Sequence, residues 1–342
     1  MRIAATADIH LTNFSQDPID KKSSLPERLS GLDNSLRFMF GYCRKEEITT
    51  IIIAGDLFHN KGVIYVDSLN IFLDILSDYA DIKVILISGN HDLTSKSQDG
   101  KSAIRSLKYH PNIEYITQPW NELFNTPEEN NILFIPYNNK MVEQIKKGKA
   151  DILISHFGLN EGVLNSGISV VADIAMKDLI GKYKLVILGH YHAAQEIFKG
   201  GTSLYYCGSP IQLDWGEANE DKRFLVFDNE TLDVKSIPFE GYRKFFKLEV
   251  TKNNYKTNTI EAEKLIKEGH HVKLYKIEDF KYKAPDGVIV IDKTDKDITN
   301  RGVNSSMTRE EQLVKYMEIK NIDKDDFEYI KSVGLELIQE VR

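Results

Sequence analysis

The chain has 342 residues, 42% hydrophobic and 28% charged, with 44 Lys and Arg against 51 Asp and Glu for a net charge of −7. This composition builds full hydrophobic cores, about two domains by length, and excludes a disordered or low-complexity chain. Two cysteines, Cys43 and Cys207, exclude a disulfide framework or a four-thiolate zinc site and fit a reduced, cytoplasmic setting; no apolar run of about 18 residues marks a membrane span.

In chain order, Met1–Ala7 is too short and too abruptly polar at its end for a leader, and reads as a buried first strand running into Asp8 and His10. The arrangement recurs at Thr50–Ala54 before Asp56, and at Lys83–Ser88 before Asn90 and His91. It returns at Asp151–Ser155 before His156 and at Lys184–Leu188 before His190 and His192. Short apolar runs are buried-strand signals. Arg28–Lys45 and Val63–Tyr79 lie between them with helical periodicity. Strands alternating with helices predict an α/β (α+β) architecture with functional residues at strand ends. Composition shifts near Pro238–Arg243, which sets a first domain at 1–238. Residues 239–298 read as a small α+β unit, with strands at Phe245–Val250, Val272–Ile277 and Val288–Ile291 and a helix near Thr259–Lys267. Within 299–342, Asn300–Ser306 reads as a linker and Thr308 with Glu311 as a capping box. The helices that follow, broken at Asn321-Ile322-Asp323, carry apolar stripes: Leu313, Tyr316 and Met317, then Phe327, Ile330, Gly334, Leu337, Ile338 and Val341.

The polar residues at the strand ends carry the chemistry. Asp8, His10, Asp56, Asn90, His156, His190 and His192 offer oxygen or imidazole nitrogen and no thiolate, a donor set suited to Mn²⁺, Fe²⁺ or Zn²⁺. Asp8 with His10, and His190 with His192, stand two residues apart and project to one face of an extended chain. Gly55, Gly89 and Gly189 let the backbone turn sharply beside them. A single Asp-x-His is usually a surface turn. Five polar clusters, each following an apolar run, suit two ions sharing a bridging carboxylate, about 3.5–4 Å apart. The acidic balance argues against broad phosphate neutralisation by Lys and Arg, although bound cations invert a local field.

Asp8-Ile9-His10, Gly55-Asp56, Gly89-Asn90-His91-Asp92, His156 and Gly189-His190-Tyr191-His192 resemble the ordered motifs of calcineurin-like metallophosphoesterases. Gly55-Asp56-Leu57-Phe58-His59, Tyr206-Cys207-Gly208-Ser209-Pro210-Ile211-Gln212 and the domain order resemble, more narrowly, the SbcD-type DNA repair nucleases and their phage recombination counterparts. The resemblance implies two central mixed β-sheets flanked by helices, a small α+β cap that closes on or binds DNA, and C-terminal helices. It implies that Asp8, His10, Asp56 and His192 hold one metal ion and Asp56, Asn90, His156 and His190 a second, with Mn²⁺ expected at both. By the same resemblance His91 assists the leaving oxygen and His59 positions DNA, and Asp92, a carboxylate next to that imidazole, is expected to orient it. The implied activity is 3′→5′ exonuclease and single-strand or hairpin endonuclease, through a metal-activated hydroxide. The implied assembly is a homodimer, through Val63–Tyr79 and Lys101–His110, bound by its C-terminal helices to an SbcC-like SMC-type ATPase.

The runner-up is a phosphatase or phosphodiesterase acting on a small phosphoester. Leu57-Phe58-His59 and Asp92 depart from the phosphoprotein phosphatase pattern. The C-terminal helices read either as a docking module or as helices packed back on their own domain. Lys140, Lys146, Lys147, Lys149, Arg243, Lys244 and Lys247 read as solvated charge, Cys43 and Cys207 as packing, and the aromatics of Asp279–Lys283 as an ordinary strand edge rather than a base-stacking surface.

Overall fold

The computed structural model describes residues 1–94, 102–121, 131–162, 172–293, 308–319 and 324–340. The chain divides into two compact units, Met1–Phe245 and Phe246–Arg342. In the first unit the strands are β1 (Arg2–Thr6), β2 (Thr50–Ala54), β3 (Lys83–Ile87), β4 (Ile113–Ile116), β5 (Trp120–Asn121), β6 (Ile132–Ile135), β7 (Ile152–His156), β8 (Leu185–Gly189), β9 (Gln195–Lys199), β10 (Thr202–Tyr206), β11 (Arg223–Asp228) and β12 (Val234–Pro238). Its α-helices are α1 (Glu27–Lys45), α2 (Val66–Asp78), α3 (Met141–Lys147) and the single turn α4 (Met176–Leu179).

Two six-stranded mixed sheets form, in the orders β12-β11-β1-β2-β3-β4 and β5-β6-β7-β8-β10-β9. β1, β2, β3 and β4 run parallel, as do β6, β7, β8 and β10, so the polar clusters emerge at the same ends of neighbouring strands. The two-residue period of a strand explains the layers. Ile52 and Ala54 turn inward, where Ile3, Ala5 and Ile85 meet Phe134, Ile152, Ile154 and Ile187 of the other sheet in one buried cluster. Ile51 and Ile53 turn outward against Leu36, Met39 and Phe40 of α1 and Phe72 and Leu76 of α2. Leu153, Val186 and Leu188 turn outward on the second sheet against Met141 and Ile145 of α3 and Met176 and Leu179 of α4. Helix, sheet, sheet and helix therefore stack in that order.

Both cysteines are free and buried. Burial pushes the Cys43 thiol up to about 12 and raises that of Cys207 as well, so both act as small apolar residues. Where Lys101–His110 was expected to be helical, the described part is a 3₁₀ helix at Ala103–Tyr109.

The second unit holds β13 (Phe245–Val250) from Phe246 onward, β14 (His271–Lys276) and β15 (Ile289–Asp292), ordered β13-β14-β15, with α5 (Tyr255–Lys267). Val250, Ala262, Leu265, Val272 and Leu274 make its core. α5 begins four residues before the expected Thr259, because Thr251 and Asn254 exchange hydrogen bonds of 2.7 and 3.2 Å that close the turn leading into it. Asp279–Lys283, expected at a strand edge, lies instead in the connection between β14 and β15; Phe280 and Tyr282 pack on that core, and the Tyr282 hydroxyl meets Thr259 Oγ1 at 2.9 Å. α6 (Arg309–Ile319) and α7 (Lys324–Glu340) follow. Thr308 and Glu311 form the expected reciprocal capping box, and Gly334 of α7 packs against Leu313 of α6. The expected linker Asn300–Ser306, the break at 321–323, Val341 and the side chains of Leu337 and Ile338 lie outside the described residues.

Candidate metal centre

The backbone at the strand ends is bent where a side chain is needed. Asp8, His10, Asp56 and His190 have φ of 52°, 53°, 54° and 105°, a left-handed region that L residues enter at a cost of about 1–3 kcal/mol each. Hydrogen bonds hold them there. Asp8 N–H donates to Gly55 O (3.1 Å) and His10 N–H to Asp56 O (3.0 Å). His190 N–H reaches both oxygens of Asp8, at 3.0 and 2.9 Å. Gly55, at φ 93°, admits the His156 ring, and a Cβ there would come within 2.8 Å of Gly89 Cα.

The seven donors expected from the sequence come together. Asp8, Asp56 and His156 form one compact group of possible metal-binding atoms and Asp8, His10 and His192 another, with atoms in each group within 4.8 Å of one another. Asn90 Oδ1 joins them, 3.1 Å from His156 Nε2 and 3.1 Å from His190 Nδ1. Asp8, His10, Asp56 and His156 are buried.

The ring orientations follow from their partners. A carbonyl oxygen only accepts, so His156 Nδ1 donates to Ala54 O at 2.8 Å, and the neutral ring presents the Nε2 lone pair. That lone pair faces Asn90 Oδ1, Asp56 Oδ2 at 3.3 Å and Asp8 Oδ1 at 3.9 Å. Acceptors facing acceptors in a buried site need a proton or a cation between them. Similarly, His192 Nδ1 lies 3.1 Å from Glu217 Oε1, which leaves Nε2 to meet His10 Nε2 at 3.1 Å. Two nitrogens bound to one ion at about 2.1 Å sit roughly 3 Å apart. This thiolate-free set of converging lone pairs, with Asp8, His10, Asp56 and His156 buried, fits a divalent cation.

Charge placement agrees. Burial works against a charged imidazole, yet the Asp56 and Asp8 carboxylates raise His156 to about 9. Partial burial, and then the proximity of His156, push His190 down to about 4.

The three remaining residues expected to act on substrate are arranged differently from one another. His91 N–H donates to Asp56 Oδ1 (2.8 Å), and its Nδ1 donates to His59 O (2.7 Å), which frees Nε2. His59 Nδ1 lies 3.3 Å from His10 Nδ1, and the His59 and His91 rings stack with centroids 5.2 Å apart. Asp92 does not orient the His91 imidazole. Its carboxylate accepts from Asp56 N–H (2.8 Å), Gly89 N–H (2.9 Å) and Phe58 N–H (3.2 Å), and the carbonyl of His59 takes the imidazole instead. Burial and the nearby Asp56 charge raise Asp92 to about 7. Asp92 is thus the tie that holds the turns after β2 and β3 together.

Sequence reasoning missed Glu217 and Lys222, both buried, with Lys222 Nζ 2.7 Å from Glu217 Oε2. Burial opposes its ionisation, but the His192 hydrogen bond and the Lys222 charge hold Glu217 down at about 2. Glu217 ends a one-turn 3₁₀ segment, Trp215–Glu217, capped by Asp214. The capping residue is visible in the sequence; the burial is not.

Among known proteins, the chain is 28% identical over 207 residues to exonuclease subunit 1 of Enterobacteria phage T4, covering 58% of each. The chain thus spans under two thirds of that relative's length. It is 24% identical over 284 residues to the SbcD subunit of the SbcCD nuclease of Staphylococcus epidermidis, covering 75% of this chain and 73% of that one. Over 270 residues it is 26% identical to the SbcD subunit of the SbcCD nuclease of Bacillus subtilis, covering 67% and 66%. A solved dimetal phosphatase from Danio rerio aligns over 70% of this chain and 99% of its own at 11% identity, with a TM-score of 0.45. Residues 1–194 match the model of the calcineurin-like phosphoesterase family. That span is more than half the chain and includes every strand end from which the seven donors project, so the protein belongs to the calcineurin-like phosphoesterases.

Proposed function

We propose that the chain is the nuclease subunit of a DNA repair or recombination complex, hydrolysing phosphodiester bonds at a two-metal site. The observation that carries this is the convergence of lone pairs from Asp8, His10, Asp56, Asn90, His156, His190 and His192, four of these residues buried, at the ends of parallel strands. Asp8, His10, Asp56 and His192 would hold one divalent ion and Asp56, Asn90, His156 and His190 the other, with Mn²⁺ the expected metal. Such ions supply charge neutralisation at phosphorus and a water of near-neutral pKa. The chain's own residues do the rest. His91, with Nδ1 anchored on His59 O, directs Nε2 toward the leaving oxygen and donates a hydrogen bond or proton there. His59 is exposed beside it, which supports a role in meeting DNA. Asp92 keeps Asp56 and the Gly89-Asn90-His91 turn in register by its three amide contacts.

The relatives named as nuclease subunits support DNA as substrate and a partner protein. Exposed Tyr316, Tyr329, Ile330 and Val333 on α6 and α7 support docking of an SbcC-like ATPase through the C-terminal region. If a chain truncated after Asn300 still co-purifies with that ATPase, docking lies elsewhere. Exposed Val63 and Val66 support a homodimer contact at α2, which light scattering at micromolar concentration checks. Among the described residues no helix is long and apolar enough to cross a membrane. The relatives named as nuclease subunits support a cytoplasmic location.

The deciding experiment is hydrolysis of end-labelled linear DNA by the purified chain in Mn²⁺, Mg²⁺ or EDTA, beside bis-p-nitrophenyl phosphate. Mn²⁺-dependent release of nucleotides supports the nuclease. Cleavage of the small diester with DNA left intact moves the reading to a small-phosphoester hydrolase.

A further inference from the structure

We infer that Glu217, braced by Lys222, is a positioning residue that presents His192 to the metal site. The inference rests on the ligand assignment proposed above and deepens it. His192 is gripped at two points. Its ring Nδ1 donates to Glu217 Oε1 at 3.1 Å, and its backbone carbonyl accepts from Lys222 Nζ, also at 3.1 Å. The same ammonium lies 2.7 Å from Glu217 Oε2 and 2.9 Å from Glu220 Oε2, with its side chain fully buried. Leu213 N–H donates to Glu217 Oε2 at 3.0 Å. That oxygen is therefore occupied by Lys222 and Leu213, and Oε1 is left for the imidazole.

The arrangement has a direct chemical consequence. A carboxylate accepts and never donates, so His192 keeps its proton on Nδ1 and offers Nε2, the atom that meets His10 Nε2 at 3.1 Å. A lysine is almost never fully buried without a specific partner. Here the buried ammonium closes a loop between the carboxylate that orients the ring and the backbone that carries it. A surface ion pair would leave the ring free to turn; this one fixes both ends of the residue. Trp215 packs its ring on Phe245 with centroids 4.8 Å apart, which anchors the short turn that delivers Glu217.

The test is Mn²⁺ binding by isothermal titration calorimetry to the full chain. The proteins are wild type, Glu217→Gln, and the double variant Glu217→Leu with Lys222→Met. The double variant removes both buried charges together, which cores commonly tolerate. Wild type is expected to bind two ions. In the double variant the ion at Asp8, His10 and His192 is expected to weaken 10–100-fold, the usual loss on deleting the partner of a ligating imidazole, with the second ion less affected. Glu217→Gln, which keeps an acceptor oxygen, should fall in between. ¹⁵N spectra of selectively histidine-labelled, metal-free protein at alkaline pH should show neutral His192 protonated on Nδ1 in wild type and shifted toward Nε2 in the double variant. Unchanged Mn²⁺ affinity in both variants, or an unchanged tautomer in the double variant, overturns the inference. A wild type that binds no Mn²⁺ instead overturns the metal assignment itself.

Discussion

One end of the second sheet and the opposite end of the paired sheets solve the same geometric problem differently. At the amino-terminal ends of β6, β7, β8 and β10, a cavity of about 480 Å³ is lined by Asn131, Lys149, Asp151, Lys182, Lys184 and glycines. Left-handed turns there are made by Gly181, Gly200 and Gly201, at φ 78°, 61° and 81°. Its charges are solvated: Lys184 and Asp151 pair at 2.7 Å with the lysine side chain 63% exposed. At the carboxyl-terminal ends of β1, β2 and β8, Asp8, His10, Asp56 and His190 take the left-handed positions instead, and three of them are buried. Glycine suffices where only a turn is needed. Where the turn must also deliver a side chain, the fold accepts strain and desolvation together. The contrast is the physical sign of a functional end.

The largest effect in breaking this contrast belongs to the shared carboxylate. Asp56→Ala should cut phosphodiester hydrolysis on the order of 10³-fold, in line with losing several kcal/mol of metal-supplied stabilisation. Metal analysis by mass spectrometry should show at most one ion per chain; full metal content would separate Asp56 from the site. Next is His91→Ala, which should keep both ions and lose about 10²-fold in turnover. Loss of metal in that variant would make His91 a ligand.

A pH series sharpens the comparison without mutation. The folded-state pKa of His156 is raised from 6.5 to about 9, so its contribution to metal-free stability is present below about 6.5 and is lost as pH rises through about 9. Asp92, raised to about 7, acts in the same direction at lower pH. A cation that replaces the His156 proton should therefore bind more tightly, and raise the melting temperature more, as pH climbs toward about 9. A Mn²⁺-induced shift that is flat across that window would mean His156 is not a ligand.

The smallest effect lies at the relaxed end. Gly201→Ala meets no atom within 4 Å, so only the left-handed backbone should matter, costing about 1–2 kcal/mol of stability in denaturant melts with activity unchanged.

How much of this was legible in the sequence follows from where each signal resides. The β-branched runs at Thr50–Ala54 and Lys83–Ile87 are local, and polar residues directly behind a buried strand have no packing reason to be there. β11 pairs back on β1 across more than 200 residues, Arg2 opposite Asp228. Nothing local in Arg223–Asp228 marks that partner. Asp92 follows His91 in sequence, which makes a carboxylate–imidazole pair look natural. The turn instead folds its carboxylate onto the amides of Asp56, Phe58 and Gly89. Glu217 and Lys222 sit among charged neighbours, Glu220 and Asp221, with no apolar pattern to mark them as buried. Burial of an ion pair has no period in sequence; only the fold puts it behind His192.

The central claim is that one end of these sheets is built to hold two divalent ions, and native mass spectrometry of the chain after reconstitution with Mn²⁺ tests it most directly. The account predicts two ions on the wild-type chain and at most one on Asp56→Ala. A wild-type chain that carries no ion, or an Asp56→Ala chain that carries two, would contradict it.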